Sequence, residues 1–307
     1  CTQCHCCRAV DSHVYTVTLD VNGGDELEIS EINVTYGKEY GELPNATRTG
    51  YGFIGWFTEK DEDKGERIIS STVVTITTSQ ILYAHWTASP VTVHFDGNGG
   101  VPSQGMIIVE YNNKYGTLPT AEREGHTFNG WHTEKDEGIE VTNETTVTNA
   151  NEHTLYAQWS INSYTITFDY GNGTITATDL MYNETIDYPT NLIREGYGFN
   201  RWEPKPERMP AHNVTVVSQW SAKGYKIKFV SDGVVVKEDT LGYGEDIVFP
   251  MNLTKEGHSF SGWVADVTVT DNKMPASDVV FTAKWAINNY TITFVYGNGT
   301  NTSTEFA

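Results

Sequence analysis

The chain has 307 residues, 40 of them acidic and 20 basic, for a formal charge of −20 and a pI near 4.7. Such acidity argues against nucleic acid or anionic lipid as a partner, because each needs a neutralising basic surface. Aromatics make up 12%, which argues against a disordered acidic tail, and no apolar run approaches the ~18 residues of a membrane-spanning helix.

All four cysteines lie within residues 1–7, and the rest of the chain has none. A chain opening at Cys1 without Met reads as a processed form or a fragment. Cys1-Thr2-Gln3-Cys4-His5 has the letters of c-type haem attachment, in which two thioethers hold the porphyrin and the His is an axial ligand. Haem needs an apolar pocket, and residues 1–14 supply almost none. Disulfides are therefore favoured for Cys1, Cys4, Cys6 and Cys7, with the segment as the cut end of a disulfide-rich upstream domain or with Cys6 or Cys7 paired to another subunit. Haem c at Cys1, Cys4 and His5, or a soft metal, remains an alternative.

From residue 14 onward the chain is made of copies. Residues 48–56, an Arg-x-Gly-x-x-Phe-x-Gly-Trp segment, return as 123–131, 194–202 and 255–263. A closing signature, Leu82-Tyr83-Ala84-His85-Trp86, returns as 155–159, 216–220 and 281–285, so the eight Trp fall two to a repeat. An opening signature at 15–20 returns at 91–96, 164–169 and 225–229, and a fifth time at Tyr290-Thr291-Ile292-Thr293-Phe294. The reading is a Cys-rich segment (1–13), repeats at 14–88, 89–161, 162–222 and 223–286, and a partial fifth repeat (287–307) begun by an opening strand.

Within a repeat, Tyr164, Ile166 and Phe168 alternate with polar residues, the period of a half-buried strand. Asn22-Gly23, Asn98-Gly99 and Asn172-Gly173 follow and predict tight hairpin turns. A second strand runs through 34–36 or 108–111. Then Pro44, Pro119, Pro189 or Pro250 marks a loop, with at most a single helical turn. The interval between the two Trp is 30 and 28 residues in the first two repeats against 18 and 22 in the last two, so insertions there predict a solvent-facing loop. The paired Trp, the first-strand aromatic and the Phe three residues before the first Trp are the expected core of each small module.

At these signatures the chain resembles the Listeria–Bacteroides repeat, the internalin B-repeat family of surface proteins. The resemblance extends to Met209-Pro210-Ala211 and Met274-Pro275-Ala276 before the last strand. Departures occur at Arg201, where the family has Gly, and at 230–233, which replace the usual turn. The resemblance implies mainly β architecture, with small β-grasp-like modules strung in tandem as an elongated rod, in secreted or surface-anchored proteins without catalytic residues.

Ten Asn-x-Ser/Thr sequons occur, at Asn33, Asn45, Asn143, Asn172, Asn183, Asn213, Asn252, Asn289, Asn298 and Asn301. Each is a glycosylation candidate, although Asn at turns and Thr in strands also explain the motif. The acidic runs 59–63 and 134–137 could hold Ca²⁺ but lack an EF-hand ligand ladder, so a solvated face is the default. His85, His126 and His258 are replaced by other residue types in sister repeats, and no hydrolase, zincin or Walker motif is present, so no enzyme is expected.

The expectation is an extracellular structural protein: a stalk, an adhesin spacer or a glycosylated fibril subunit. A carbohydrate-binding module for host or environmental glycans and an extracellular haem protein are the rival classes. The final Tyr290, Ile292 and Phe294 segment, read as an unpaired strand, is a candidate for strand donation to a neighbour or for tandem continuation.

Overall fold

A computed structural model describes residues 13–61 and 63–307, and these divide into two compact units at residues 162 and 163. Among the described residues there is no helix, and every regular element is a β-strand. The first unit opens with β1 (Val14–Asp20), β2 (Glu31–Thr35), β3 (Tyr51–Phe57), β4 (Arg67–Ile68) and β5 (Gln80–Ala88), in the spatial order β2-β1-β5-β3-β4. Its second sheet uses β6 (Pro90–Asp96), β8 (Met106–Glu110), β10 (His126–His132), β11 (Glu140–Val141) and β12 (His153–Ile161), in the order β11-β10-β12-β6-β8. The short strands β7 (Val101–Pro102) and β9 (Ala121–Glu122) pair beside it.

The second unit has four-stranded versions of the same sheet. One is built from β13 (Ser163–Asp169), β14 (Ile175–Met181), β15 (Tyr197–Glu203) and β16 (Val214–Ala222). The other is built from β17 (Gly224–Ser231), β18 (Val234–Gly242), β19 (His258–Ala265) and β20 (Val279–Ile287). A hairpin, β21 (Tyr290–Val295) with β22 (Asn301–Phe306), follows.

Every complete sheet obeys one rule. The opening strand forms a hairpin with the second and pairs in parallel with the closing strand, as in Ile166↔Val214 and Phe168↔Val216. The closing strand pairs antiparallel with the Trp strand, past a bulge such as that between Phe53 and Gly55. That bulge gives the Gly at this position φ near +146° in Gly55, whereas Arg201 takes the same place without a left-handed backbone. The alternation read from sequence is the burial pattern found: Ile166 and Phe168 are buried while Thr165 and Thr167 face outward or lie at the margin.

Two sequence expectations need correction. The Asn-Gly pairs of the first two repeats do not close tight hairpins, because β1 ends at Asp20 and β2 starts only at Glu31. Asn22 instead turns with φ +47°, its N–H held by Asp20 Oδ1 and its amide donating to Ala84 O at 3.0 Å. The tight two-residue turn sits in the fourth repeat, at Asp232-Gly233, where both residues have positive φ as a type I′ turn requires. The Pro loops contain no helical turn; an isolated bridge, Glu39↔Val73, ties the first one down. Finally, the strand bearing Tyr290, Ile292 and Phe294 is not unpaired, since β22 fills one of its edges.

Candidate functional site at the repeat junctions

Each repeat is closed by its two indoles. The first Trp donates Nε1–H to the carbonyl of the loop proline: Trp56 to Pro44 (2.8 Å), Trp131 to Pro119 (2.7 Å), Trp202 to Pro189 (3.2 Å) and Trp263 to Pro250 (3.1 Å). The second donates to the turn after the opening strand: Trp86 to Val21 O, Trp159 to Gly97 O and Trp220 to Tyr170 O. In two repeats that ring lies on a glycine so closely that a Cβ on Gly24 or Gly100 would stand 2.5 or 2.4 Å from it. The compact Asp232-Gly233 turn removes this acceptor, and Trp285 Nε1 is left buried and unpartnered. None of the eight Trp is exposed.

A second recurring device follows the second strand. Tyr36, Tyr111, Tyr182 and Tyr243 are each followed by a left-handed Gly or Asn: Gly37, Asn112, Asn183 and Gly244. That residue's N–H donates to the carbonyl of a buried apolar residue, Val74, Val147, Met209 or Met274. The apolar residue donates back to the turn, as in Met209 N–H to Glu184 O at 2.8 Å. The Met of each Met-Pro-Ala run is thus a core residue pinned by two backbone bonds.

These two devices meet where repeats join. One residue, Ser89, separates β5 from β6. Its N–H donates to Gly50 O and its carbonyl accepts from Tyr111 N–H, both at 3.0 Å, so neighbouring repeats hold it from either side. The Tyr111 ring seats on Gly50, where a Cβ would come within 2.2 Å, and meets Tyr51 edge-on at 5.5 Å. Arg48 lies over Tyr51, 4.0 Å from its centroid. In the second unit Lys223, Gly196, Tyr243, Tyr197 and Arg194 repeat the arrangement, with Tyr197 and Tyr243 at 5.4 Å. Asn288 N–H reaches Gly257 O (2.9 Å) in the same way before β21. Sequence reading missed this latch; its signal was the Tyr-Gly or Tyr-Asn dipeptide ending every second strand.

All ten sequon asparagines are exposed. Asn172, Asn213 and Asn298 use their side-chain oxygens on backbone N–H groups (Thr174, Thr165 and Thr300), and Asn33 accepts from Thr16 Oγ1. Among the described residues no hydrogen bond engages the side chains of Asn45, Asn143 and Asn252, which lie in loops. Cys1, Cys4, His5, Cys6 and Cys7 lie outside the described residues. The acidic loops turn their backbone carbonyls inward: buried His85 donates to Glu59 O at 2.8 Å, and Gln158 to Lys135 O at 3.0 Å. Among the described residues no three His, Cys, Asp or Glu gather to hold a metal ion, and no helix is long and apolar enough to cross a membrane. The hollow at the first junction, about 330 Å³, is lined by Asp25, Arg48, Thr49, Tyr51, Tyr111 and Asn112 among others, with no Ser, Cys or His.

The profile of the Listeria–Bacteroides repeat domain matches four times, at residues 15–85, 92–158, 164–216 and 225–284. The chain belongs to the Listeria–Bacteroides repeat family. A protein of Evansella cellulosilytica named as a Gly-rich membrane protein is 31% identical over 86% of this chain and 34% of its own length. Another from the same organism, named as a membrane protein, is 28% identical over 94% of this chain and 46% of its own. Internalin H of Listeria monocytogenes is 34% identical over 42% of this chain and 25% of its own length. The chain thus spans a quarter to about half of these relatives. The chain is thus a tandem array of four Listeria–Bacteroides repeats, and two of the relatives it matches are named as membrane proteins.

Proposed function

We propose that the chain is an extracellular spacer, holding whatever it carries at a distance from a surface as a stalk, an adhesin segment or a fibril subunit. The observation that carries this reading is the junction. A one-residue connection, bonded on both sides and covered by a Tyr ring on a Gly, transmits orientation from one repeat to the next instead of letting them swivel. Nothing about such a device serves catalysis, and it recurs where two complete repeats of one unit meet.

The elongated arrangement, glycans on the exposed sequons, disulfides among Cys1, Cys4, Cys6 and Cys7, and self-association or tandem continuation through β21 belong to the same proposal. Small-angle scattering tests the central point. The chain is expected to scatter as an extended, stiff particle, and replacing Tyr111 and Tyr243 by Ala is expected to broaden its distance distribution. A compact particle unaffected by the replacements would sink the reading. Intact mass before and after enzymatic deglycosylation of native material reports sequon occupancy, with Asn45, Asn143 and Asn252 expected first.

A further inference from the structure

The sequence holds five Asn-Gly pairs, which begin at Asn22, Asn98, Asn129, Asn172 and Asn298. Glycine has no Cβ, so its nitrogen can approach the preceding side chain closely and attack the amide carbon there. The fold sorts the five into two kinds. In the first two repeats Asp20 and Asp96 each accept an N–H from two residues on, that of Asn22 or Asn98, both at 2.8 Å. The amide then points back at the closing strand. Asn22 Nδ2 donates to Ala84 O at 3.0 Å, and Asn98 Nδ2 donates to Ala157 O and Lys135 O, each at 3.0 Å. In the third repeat Gly171 takes that place, donating to Asp169 Oδ1 at 2.8 Å with φ +63°. Asn172 is therefore displaced one residue outward and is exposed, and Asn298 follows Gly297 in the same way. Asn172 Oδ1 accepts from Thr174 N–H at 3.0 Å, and Asn298 Oδ1 accepts from Thr300 N–H at 3.1 Å and Thr300 Oγ1 at 2.6 Å. Among the described residues no hydrogen bond engages either Nδ2. Donors on the oxygen draw electrons from Cγ, and the nitrogen that must leave is held by nothing. Asn129, by contrast, lies within β10 and donates to Ser160 Oγ at 2.6 Å.

We infer that Asn172 and Asn298 are sites of spontaneous main-chain modification, and that the fold protects Asn22, Asn98 and Asn129 from the same reaction. The Gly173 nitrogen attacks Cγ of Asn172, the new N–Cγ bond replaces the Cγ–Nδ2 bond, and ammonia departs carrying the Gly173 amide proton. Water opens the resulting succinimide at Cγ to give Asp, or at the main-chain carbonyl to give isoaspartate. The same steps apply to Asn298 and Gly299, and water is the one co-reactant. Each event adds a negative charge, and the isoaspartyl form lengthens the main chain in the turn between β13 and β14 or between β21 and β22. Both residues also stand in sequons, and the nitrogen lost is the one that would carry a glycan, so either fate excludes the other. The inference depends on neither the spacer role nor the occupancy of the sequons.

The test incubates the intact chain, made without glycans in a bacterial host, in mildly alkaline buffer, once folded and once unfolded in urea. Peptide mass spectrometry follows each Asn-Gly pair, and labelling by an isoaspartyl methyltransferase counts the isoaspartyl product. In urea all five pairs are expected to react at similar rates, since Gly follows each. In the folded chain Asn172 and Asn298 are expected to react within a few-fold of their unfolded rates. Asn22, Asn98 and Asn129 are expected to slow by roughly tenfold or more, because their amides must first break the bonds that hold them. Asn22 or Asn98 reacting as fast as Asn172 in the folded chain would overturn the inference. So would Asn172 and Asn298 staying intact while the unfolded chain is converted. Either result would leave the spacer reading standing, since scattering decides that separately.

Discussion

At the residue scale, the four repeats serve as internal controls for one another. Trp220 and Trp285 occupy the same position, but only Trp220 has acceptors, Tyr170 O at 3.1 Å and Ser218 Oγ at 2.7 Å. Replacing either by Phe removes similar apolar area. The loss in Trp220→Phe should exceed that in Trp285→Phe by about 1 kcal/mol, the net worth of the hydrogen bond. Equal losses by urea denaturation at constant m would show that the indole N–H contributes nothing. Three tyrosines give a second prediction at this scale. Burial pushes the hydroxyls of Tyr40, Tyr115 and Tyr188 above the ordinary value of 10.0, because the phenolate cannot be hydrated there. A pKa raised in the folded state means that the folded chain binds more protons, so this contribution is complete below about pH 10 and is lost as pH rises through the folded values. Absorbance titration at 295 nm should show late-titrating tyrosines that merge with the rest on unfolding. The positions of the Trp rings were legible in the sequence. Their partners were not, because a proline carbonyl 12 or 13 residues upstream leaves no mark on composition or period.

At the element scale, the strands were legible because alternation and aromatic spacing fix which side of each is buried. The turns were less so. Asn22-Gly23 and Asp232-Gly233 look alike as text, yet the first bends into a long loop against Ala84 and only the second closes a hairpin. What separates them is a Gly two residues after Asn22 that admits the Trp86 ring, and the fourth repeat has no such Gly. The consequence is testable in the second repeat. A Cβ on Gly100 would stand 2.4 Å from the Trp159 ring and 2.7 Å from Glu122 O, a backbone atom that cannot swing away. Gly100→Ala should therefore destabilise by about 1–3 kcal/mol through overpacking. Gly105→Ala, with open space around the new methyl, should be neutral or slightly stabilising, by up to about 1 kcal/mol. Thermal melts of both variants check the pair, and similar changes in the two would mean that the Trp contact does not govern the turn.

At the scale of the whole molecule, the repeats were legible and their coupling was not, since a latch joining Gly50 to Tyr111 belongs to neither copy alone. Its energetic meaning follows from nearest-neighbour arithmetic. In a tandem array, stability is the sum of what each module holds and what each interface adds, and cooperativity rests on the interface term. Modules of 60 to 75 residues are marginal on their own, so an interface of a few kcal/mol decides whether two of them melt as one. Tyr111 and Tyr243 each supply a ring pair and a seat on glycine, whereas the backbone bonds through Ser89 and Lys223 survive side-chain truncation. The double variant Tyr111→Ala and Tyr243→Ala should therefore keep the secondary structure of the parent while its unfolding loses cooperativity. In urea, the parent should unfold with the large m-value of paired repeats, and the variant with broader, separable transitions of smaller m, because m scales with the surface exposed per cooperative unit. An m-value unchanged by the double substitution would place the coupling in the Ser89 and Lys223 backbone bonds, and the tyrosines would then be covers and not latches.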